Sequence, residues 1–447
     1  MNLLIVTYKY APAVDPRAFR WAAIAENWAA KGHVVDVVCA WESGLQKEEA
    51  RNGVRVHRVG GPIDQILRDK FSRRPRDRQV EGKDEKIAGN SDSTSNRRDT
   101  VFSSLYRCVN QALEKVAWPD HAWSWYFPAW RKAYDLLRGG DHNGMISVSF
   151  PFSGHMVGYR LNSKLPNLPW IVDIGDPFSF FHDKPVNNIV LFERMNRSWE
   201  GKVLDKADTV TVTSDATKHE YLNRFPACSG KIRVIPPLFS IPTRNGDENG
   251  SVSGNQAIRL VYAGTLYKAI RNPGYLLGIF SGLIQTDLGN RIELHFYGNI
   301  NDCGDIFMPY KEWLGKRIFL HGKVERRIVY RAMQGANLLV NIGNTTSYQL
   351  PSKVVEYAST RKPVLNIYKI RNDSSTEFFN SYGACLNVMD DGKDIPGKVL
   401  EDIVNFIKTP PYICPDKYRK FISRYMVDEI SRRYEELIIN RTEGTTP

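Results

Sequence analysis

Residues 341–368, NIGNTTSYQLPSKVVEYASTRKPVLNIY, constrain the fold most. Leu338–Ile342 is a short apolar run, the length of a buried parallel strand. A polar loop over 343–350 leads to Pro351-Ser352. Both residue types start helices: proline fits the first turn, and serine can cap free N–H groups. A helix over 353–360 follows, then Pro363 and a second apolar run, Val364–Tyr368. Strand, helix and strand in so short a span form the crossover unit of a parallel sheet.

Lys353 has the wrong sign for its place. A cation in the first turn of a helix opposes the helix dipole and costs roughly a few tenths of a kcal/mol. The position makes sense when an anion sits there, because a helix N-terminus with a lysine beside it cradles phosphate. Glu356 lies one turn on, on the face of Ser352 and Lys353, where a carboxylate suits sugar hydroxyls. The competing reading is a surface Lys–Glu pair on an ordinary helix, and the residues alone leave both open.

The same alternation runs through the chain. Residues 3–8 are apolar. A helical pattern over 17–31 carries Trp21, Ile24, Ala25 and Trp28 and stops at Gly32; residues 34–39 are the next strand. Further strands at 145–149, 169–174, 207–214 and 231–237 complete a first domain over 1–240. Residues 68–100 have almost no apolar side chains and read as a mobile insertion. Residues 241–257 are a linker by composition. A second series of strands at 260–263, 293–297, 318–321, 338–342, 364–368 and 385–388 builds a second doubly wound domain over 258–417. Apolar positions at 418, 421, 422, 425, 430, 434 and 437 predict one long helix within a C-terminal segment over 418–447.

Composition narrows the partners. The net charge of +12, from 61 basic and 49 acidic residues, points to an anion: nucleic acid, an anionic membrane surface or a phosphorylated substrate. No zinc spacing, helix-turn-helix pattern or RNP-type aromatic motif is present, so no nucleic-acid partner is expected. No apolar run approaches the roughly 20 residues of a membrane span. The N-terminus enters a strand without a basic leader, so no signal peptide is expected. Six cysteines without CxxC spacing fit buried thiols in a reducing cytoplasm.

Pro351-Ser352-Lys353, two residues, Glu356-Tyr357 and then Lys362-Pro363-Val364 resemble the nucleotide-sugar motif of the family-4 glycosyltransferases, in a Pro-Ser-Lys subgroup. The resemblance covers nearly the whole chain. It implies an α/β GT-B fold, with two doubly wound Rossmann-like domains facing across a cleft and a C-terminal helix crossing back to the first. It also implies a retaining transferase that moves a sugar from a UDP- or GDP-linked donor to a hydroxyl, with neither cofactor nor metal. Glu356 matches the motif's second Glu and would hold the ribose. The first Glu position is Tyr348 here, a departure at the donor-sugar contact. Ser352 and Lys353 would face the diphosphate. In AGTLYKAIRNPG, Gly264, Thr265 and Arg271 match the family's turn and its cation, and Val324 belongs to the same donor-binding set.

In the first domain, Arg20-Trp21 and Gly32-His33 match the subgroup in spacing. The first loop lacks the family's glycines; Arg17 and Arg20 could supply charge instead, or simply begin a solvated helix. SFPFSGHMVGYRL and DIGDP resemble the subgroup's serine-proline loop, histidine and paired aspartates. That similarity turns His155 and Asp176 towards the cleft as catalytic candidates, with Asp173 as a structural partner on the acceptor side. A carbohydrate or lipid-linked acceptor in cell-surface polysaccharide or glycoconjugate assembly is the implied setting, in the cytoplasm or at the inner face of the cell membrane. Membrane contact would run through basic residues 68–78 and the aromatics Trp118, Trp123, Trp125, Tyr126, Phe127 and Trp130; the competing reading makes those aromatics core. Two other functions stay open: a GT-B epimerase or phosphorylase, and an inactive partner that only binds a nucleotide sugar.

Overall fold

In the computed structural model, which describes residues 1–62, 117–181, 186–239 and 257–443, the apolar runs sort into two sheets. The first holds β1 (Asn2–Val6), β2 (Val34–Ala40), β3 (Glu48–Arg51), β4 (Val54–Val59), β5 (Gly144–Val148), β6 (Trp170–Asp173), β7 (Thr209–Val212) and β8 (Ile232–Val234), in the order β3-β4-β2-β1-β5-β6-β7-β8. The second holds β9 (Ile258–Ala263), β10 (Ile292–Tyr297), β11 (Ile318–Gly322), β12 (Leu338–Ile342), β13 (Val364–Tyr368) and β14 (Cys385–Met389), in the order β11-β10-β9-β12-β13-β14. The second sheet is parallel throughout. In each sheet the chain starts in the middle, winds outwards, then returns to the other side of its first strand. The reversal falls between β1 and β5, and between β9 and β12. Open parallel sheets bind ligands at the carboxyl ends of strands beside such a point.

The sequence reading missed β3 and β4, an antiparallel hairpin at the edge of the first sheet. Its turn is Asn52-Gly53, with φ of 48° and 81°. An Asn-Gly pair between extended segments is a strong hairpin signal, because both turn residues need positive φ.

The chain divides into two compact units. The first takes the chain up to Val212, Leu222–Arg233 and the residues from Ser431; the second takes Thr213–Tyr221 and Val234–Ile430. The expected insertion at 68–100 and nearly all of the linker at 241–257 lie outside the described residues. The single long helix expected from 418 is instead Pro415–Ile422, a 3-10 turn at Ser423–Tyr425 and a helix Val427–Glu443. The break coincides with tertiary contacts at Tyr425. The Tyr425 carbonyl accepts the Phe239 N–H at 3.2 Å, while the Tyr425 ring packs on Phe378 and Phe421.

The central strands of both sheets are buried on their two faces, so β5 and β12 carry no exposed residue. β12 is not wholly apolar, however. Asn341 donates to Asn366 on β13 at 2.7 Å, and Asn366 donates to Asn387 on β14 at 2.9 Å. These three residues are directly paired in the parallel register. Buried amides without partners would each cost about 1–3 kcal/mol, and these two bonds across three strands satisfy the Asn341 donor and both ends of Asn366, while Asn341 Oδ1 is left without a partner among the described residues. No helix among the described residues is long and apolar enough to cross a membrane.

Candidate functional site

The carboxyl ends of β9, β12 and β13 gather a group of charges. β9 stops at Ala263, and Gly264 follows with φ of 153°. A Cβ at Gly264 would lie 3.2 Å from the Tyr262 hydroxyl and 3.5 Å from Lys353 Nζ, so bare backbone keeps this space open. At the end of β10, Gly298 has φ of 125°, and a side chain there would run into the Gly264 carbonyl.

The helix Ser352–Ser359 starts from Pro351, and no side chain caps it. Ser352 was expected as the cap. Pro351 takes the extended cap conformation itself, which moves Ser352 into the first helical position, exposed. Tyr357 fastens this helix to the sheet: its hydroxyl accepts the Ala263 N–H at 2.7 Å and lies 3.1 Å from the Val340 carbonyl.

Lys353 is half-buried as a residue, but its Nζ is closed off from solvent and has no hydrogen-bond partner. The Nζ sits 4.6 Å from the centre of the Tyr262 ring. Burial, then the Arg271 charge, push the Lys353 pKa well below the usual lysine value; Asp373 acts in the opposite direction. Arg271 Nε donates to Asn344 Oδ1 at 2.9 Å. Asp373 caps the helix Ser374–Tyr382, accepting the N–H groups of Ser375 at 2.8 Å and Thr376 at 3.1 Å. Its other oxygen leaves no room for a side chain at Gly343, where a Cβ would come within 2.6 Å.

The remaining donor-side residues stand around this group. Glu356 is held by Arg326, Nη2 to Oε1 at 2.7 Å, with both side chains about one-third exposed. The Tyr348 carbonyl accepts the hydroxyls of Ser214 at 2.9 Å and Thr217 at 2.5 Å. Thr265 takes the Tyr262 hydroxyl on its carbonyl at 3.3 Å. Val324 is half-buried in the loop after β11.

In the first unit the named residues meet around Asp173 at the end of β6. Asp173 Oδ1 accepts the hydroxyls of Tyr434 at 2.6 Å and Thr211 at 2.8 Å; Oδ2 accepts the Trp21 indole N–H at 3.0 Å. Arg17 lies 3.7 Å from Asp173, and Arg20 donates to Tyr434 at 3.1 Å. Burial alone would raise the Asp173 pKa, but Arg20, Arg17 and the hydrogen bonds from Tyr434 and Thr211 together outweigh it and hold the carboxyl below its usual range. Neither arginine makes the solvated helix start that was the competing expectation. Arg20 is buried, and Arg17 lies across Gly175, where a Cβ would collide with its guanidinium.

His155 is 2% exposed, which corrects the expectation that it opens on a ligand. Its Nδ1 lies 2.9 Å from Ser147 Oγ, which also accepts the Trp170 indole N–H at 2.9 Å. Burial pushes the His155 pKa down to about 3, so the ring is neutral at any ordinary pH. Asp120 fixes the helix that carries it, accepting the Ser153 N–H at 2.9 Å and hydroxyl at 2.7 Å. Asp176 is half-buried in the bend after β6. The next turn is pinned by Glu200, which accepts the N–H groups of Phe178 and Ser179, both at 3.0 Å. The aromatics divide: Trp125 is buried, whereas Trp123 and Phe127 are exposed.

No family model matches the sequence, and no curated protein matches it either. Solved structures do. Sucrose-phosphate synthase from Thermosynechococcus elongatus is 14% identical with a TM-score of 0.64, over 99% of this chain and 100% of that one. The α,α-trehalose 6-phosphate synthase from Burkholderia multivorans is 11% identical with a TM-score of 0.60, over the full length of both chains. Anabaena HepE, solved with UDP-glucose, is 11% identical with a TM-score of 0.56, over 98% and 100%. Two doubly wound sheets of this order, matched from end to end, decide the architecture. The fold is GT-B.

On this GT-B frame, Gly264, Arg271 and Lys353 come together, while Glu356 is held by Arg326 and the Tyr348 carbonyl by Ser214 and Thr217. Three contributors were missed. Asp373 had a signal: Asp followed by Ser-Ser and then Glu377 is a helix-start pattern. Tyr262 and Asn344 had none, because an aromatic in a strand and an asparagine in a loop are ordinary.

Proposed function

We propose that this protein is a retaining glycosyltransferase that moves a sugar from a nucleotide sugar to a hydroxyl acceptor in polysaccharide or glycoconjugate assembly. The observation that carries the reading is Lys353 Nζ, buried without a partner beside Arg271 at a helix start. An unpaired buried donor is costly, and a diphosphate would supply its acceptors. The GT-B fold and the neighbours solved with UDP and UDP-glucose support a nucleotide-sugar donor.

In transfer, the bond between the anomeric carbon and the diphosphate oxygen breaks as the sugar becomes oxocarbenium-like. Negative charge grows on the departing diphosphate, where Lys353, Arg271 and the Gly264 backbone can meet it. The acceptor oxygen bonds to the anomeric carbon and gives up its proton. A screen of UDP- and GDP-sugars in EDTA tests the reading: turnover of at least one donor is expected. Turnover only on adding magnesium or manganese would remove the charge-stabilising role from Lys353 and Arg271. Tight binding without any turnover would make the chain an inactive partner.

On the acceptor side we assign the proton to Asp176, at the carboxyl end of β6. Pro177 favours an extended conformation at Asp176, keeping it out of a helix. Asp176→Asn keeps the shape and removes the base, and should lower transfer by roughly 100-fold with donor affinity nearly unchanged. Normal transfer by Asp176→Asn, with loss in His155→Ala, would return the role to His155.

A further inference from the structure

We propose that the Lys353–Arg271 site takes up one proton with each diphosphate it binds, and that the proton goes to the Lys353 amine. The inference rests on the reading of this site as a diphosphate cradle.

The surroundings of Nζ give an ammonium no hydrogen-bond acceptor, only the face of the Tyr262 ring and the more distant Asp373 charge. An ammonium has three N–H donors, and among the described residues none finds an acceptor here. From β9, the Tyr262 ring lies beneath it at 4.6 Å, with its hydroxyl turned to the Thr265 carbonyl. From the loop after β9, Arg271 repels it. From the loop after β13, Asp373 attracts it, but one Asp373 oxygen is spent on the helix cap and the other lies against Gly343. On its own helix, Glu356 is held by Arg326 and the Tyr357 hydroxyl by backbone. Burial and Arg271 together favour the neutral amine, as the direction of its pKa indicates.

A guanidinium does not give up its proton in a protein, so Lys353 is the cation that can appear and disappear. A diphosphate brings oxygen acceptors and negative charge to the amine. The amine then gains a proton from the medium and becomes an ammonium, with no other bond made or broken. The free site carries less positive charge than its residues suggest and gains it as the ligand arrives.

Isothermal titration calorimetry with UDP reads this directly. At about pH 8.5 the UDP phosphate, with a second pKa near 6, is already ionised and brings no proton change of its own. Titrations in two buffers of different ionisation enthalpy should differ by the heat of about one proton per UDP. Above the pKa of the free amine, the dissociation constant should rise about tenfold per pH unit. Lys353→Met should make the two buffers agree, and Asp373→Asn should keep the difference. UDP binding with equal heats in both buffers and a flat pH profile would overturn the proposal, even if Lys353→Met fails to fold. Uptake that survives Lys353→Met, or is lost in Asp373→Asn, would overturn it too and move the proton elsewhere. No UDP binding by the unaltered protein is a different result, and removes the diphosphate reading itself.

Discussion

Lys353→Met should lower sugar transfer by roughly 100-fold or more and at the same time raise the unfolding temperature. The two effects share one cause. Lys353 Nζ is sealed from solvent without a hydrogen-bond partner, and an unmet buried polar group costs about 1–3 kcal/mol. Methionine fills similar space and carries no such group. The sign follows from proton binding. The folded-state pKa of Lys353 is depressed, so the unfolded chain binds the proton more tightly. Folding therefore becomes more favourable as pH rises between the folded and unfolded values, and the penalty is present throughout neutral pH. Removing it should raise Tm by a few degrees, roughly. Differential scanning calorimetry beside a donor-turnover assay reads both. A variant that is less stable and transfers normally would make Lys353 an ordinary packing residue.

Asp173→Ala should act in the opposite sense, with a large loss of stability. Asp173 is fully buried and joins Trp21, Thr211, Tyr434 and Arg17, with Arg20 held through Tyr434. Without the carboxylate, buried Arg20 has no compensating charge, a situation that costs about 3–5 kcal/mol. For a unit of this size that is on the order of 10 °C in Tm. The folded pKa of Asp173 is depressed, so its contribution is complete above the unfolded carboxyl value and fades as pH falls through the folded one. Thermal unfolding at neutral pH is the check. A loss below about 1 kcal/mol would mean that the arginines find water instead.

The fold was legible because a strand buried on both faces must be an apolar run, and twelve such runs stand in the sequence. What escaped were elements whose signal is not an apolar run. The β3–β4 hairpin is polar on one face, and Asn52-Gly53 with the alternation through Val54 and Val56 gives it away. The C-terminal helix was read through its break because apolar spacing continues across residues 423–426, while the break coincides with a hydrogen bond made by distant Phe239. At the site, Lys353 was visible as a charge in the wrong place on a helix. Its isolation was not visible, since that depends on Tyr262, Arg271 and Asp373 arriving from three other segments. His155 shows the opposite case. Its resemblance to the subgroup's histidine suggested exposure, and packing buried it against Ser147 and Phe152.

The asparagine rungs across β12, β13 and β14 also act as a ruler for the charges above them. Asn341 stands two residues below Gly343, whose backbone packs against the Asp373 carboxylate, and the loop from Gly343 leads to Lys353. Asn366 stands at the same height on β13, whose far end leads to Asp373. A strand advances about 3.3 Å per residue, more than a hydrogen bond can stretch. Any slip of β12 against β13 would therefore break the amide chain before it changed the spacing of Lys353 and Asp373. A purely aliphatic β12 and β13 would pack as tightly at several heights; the amides allow one.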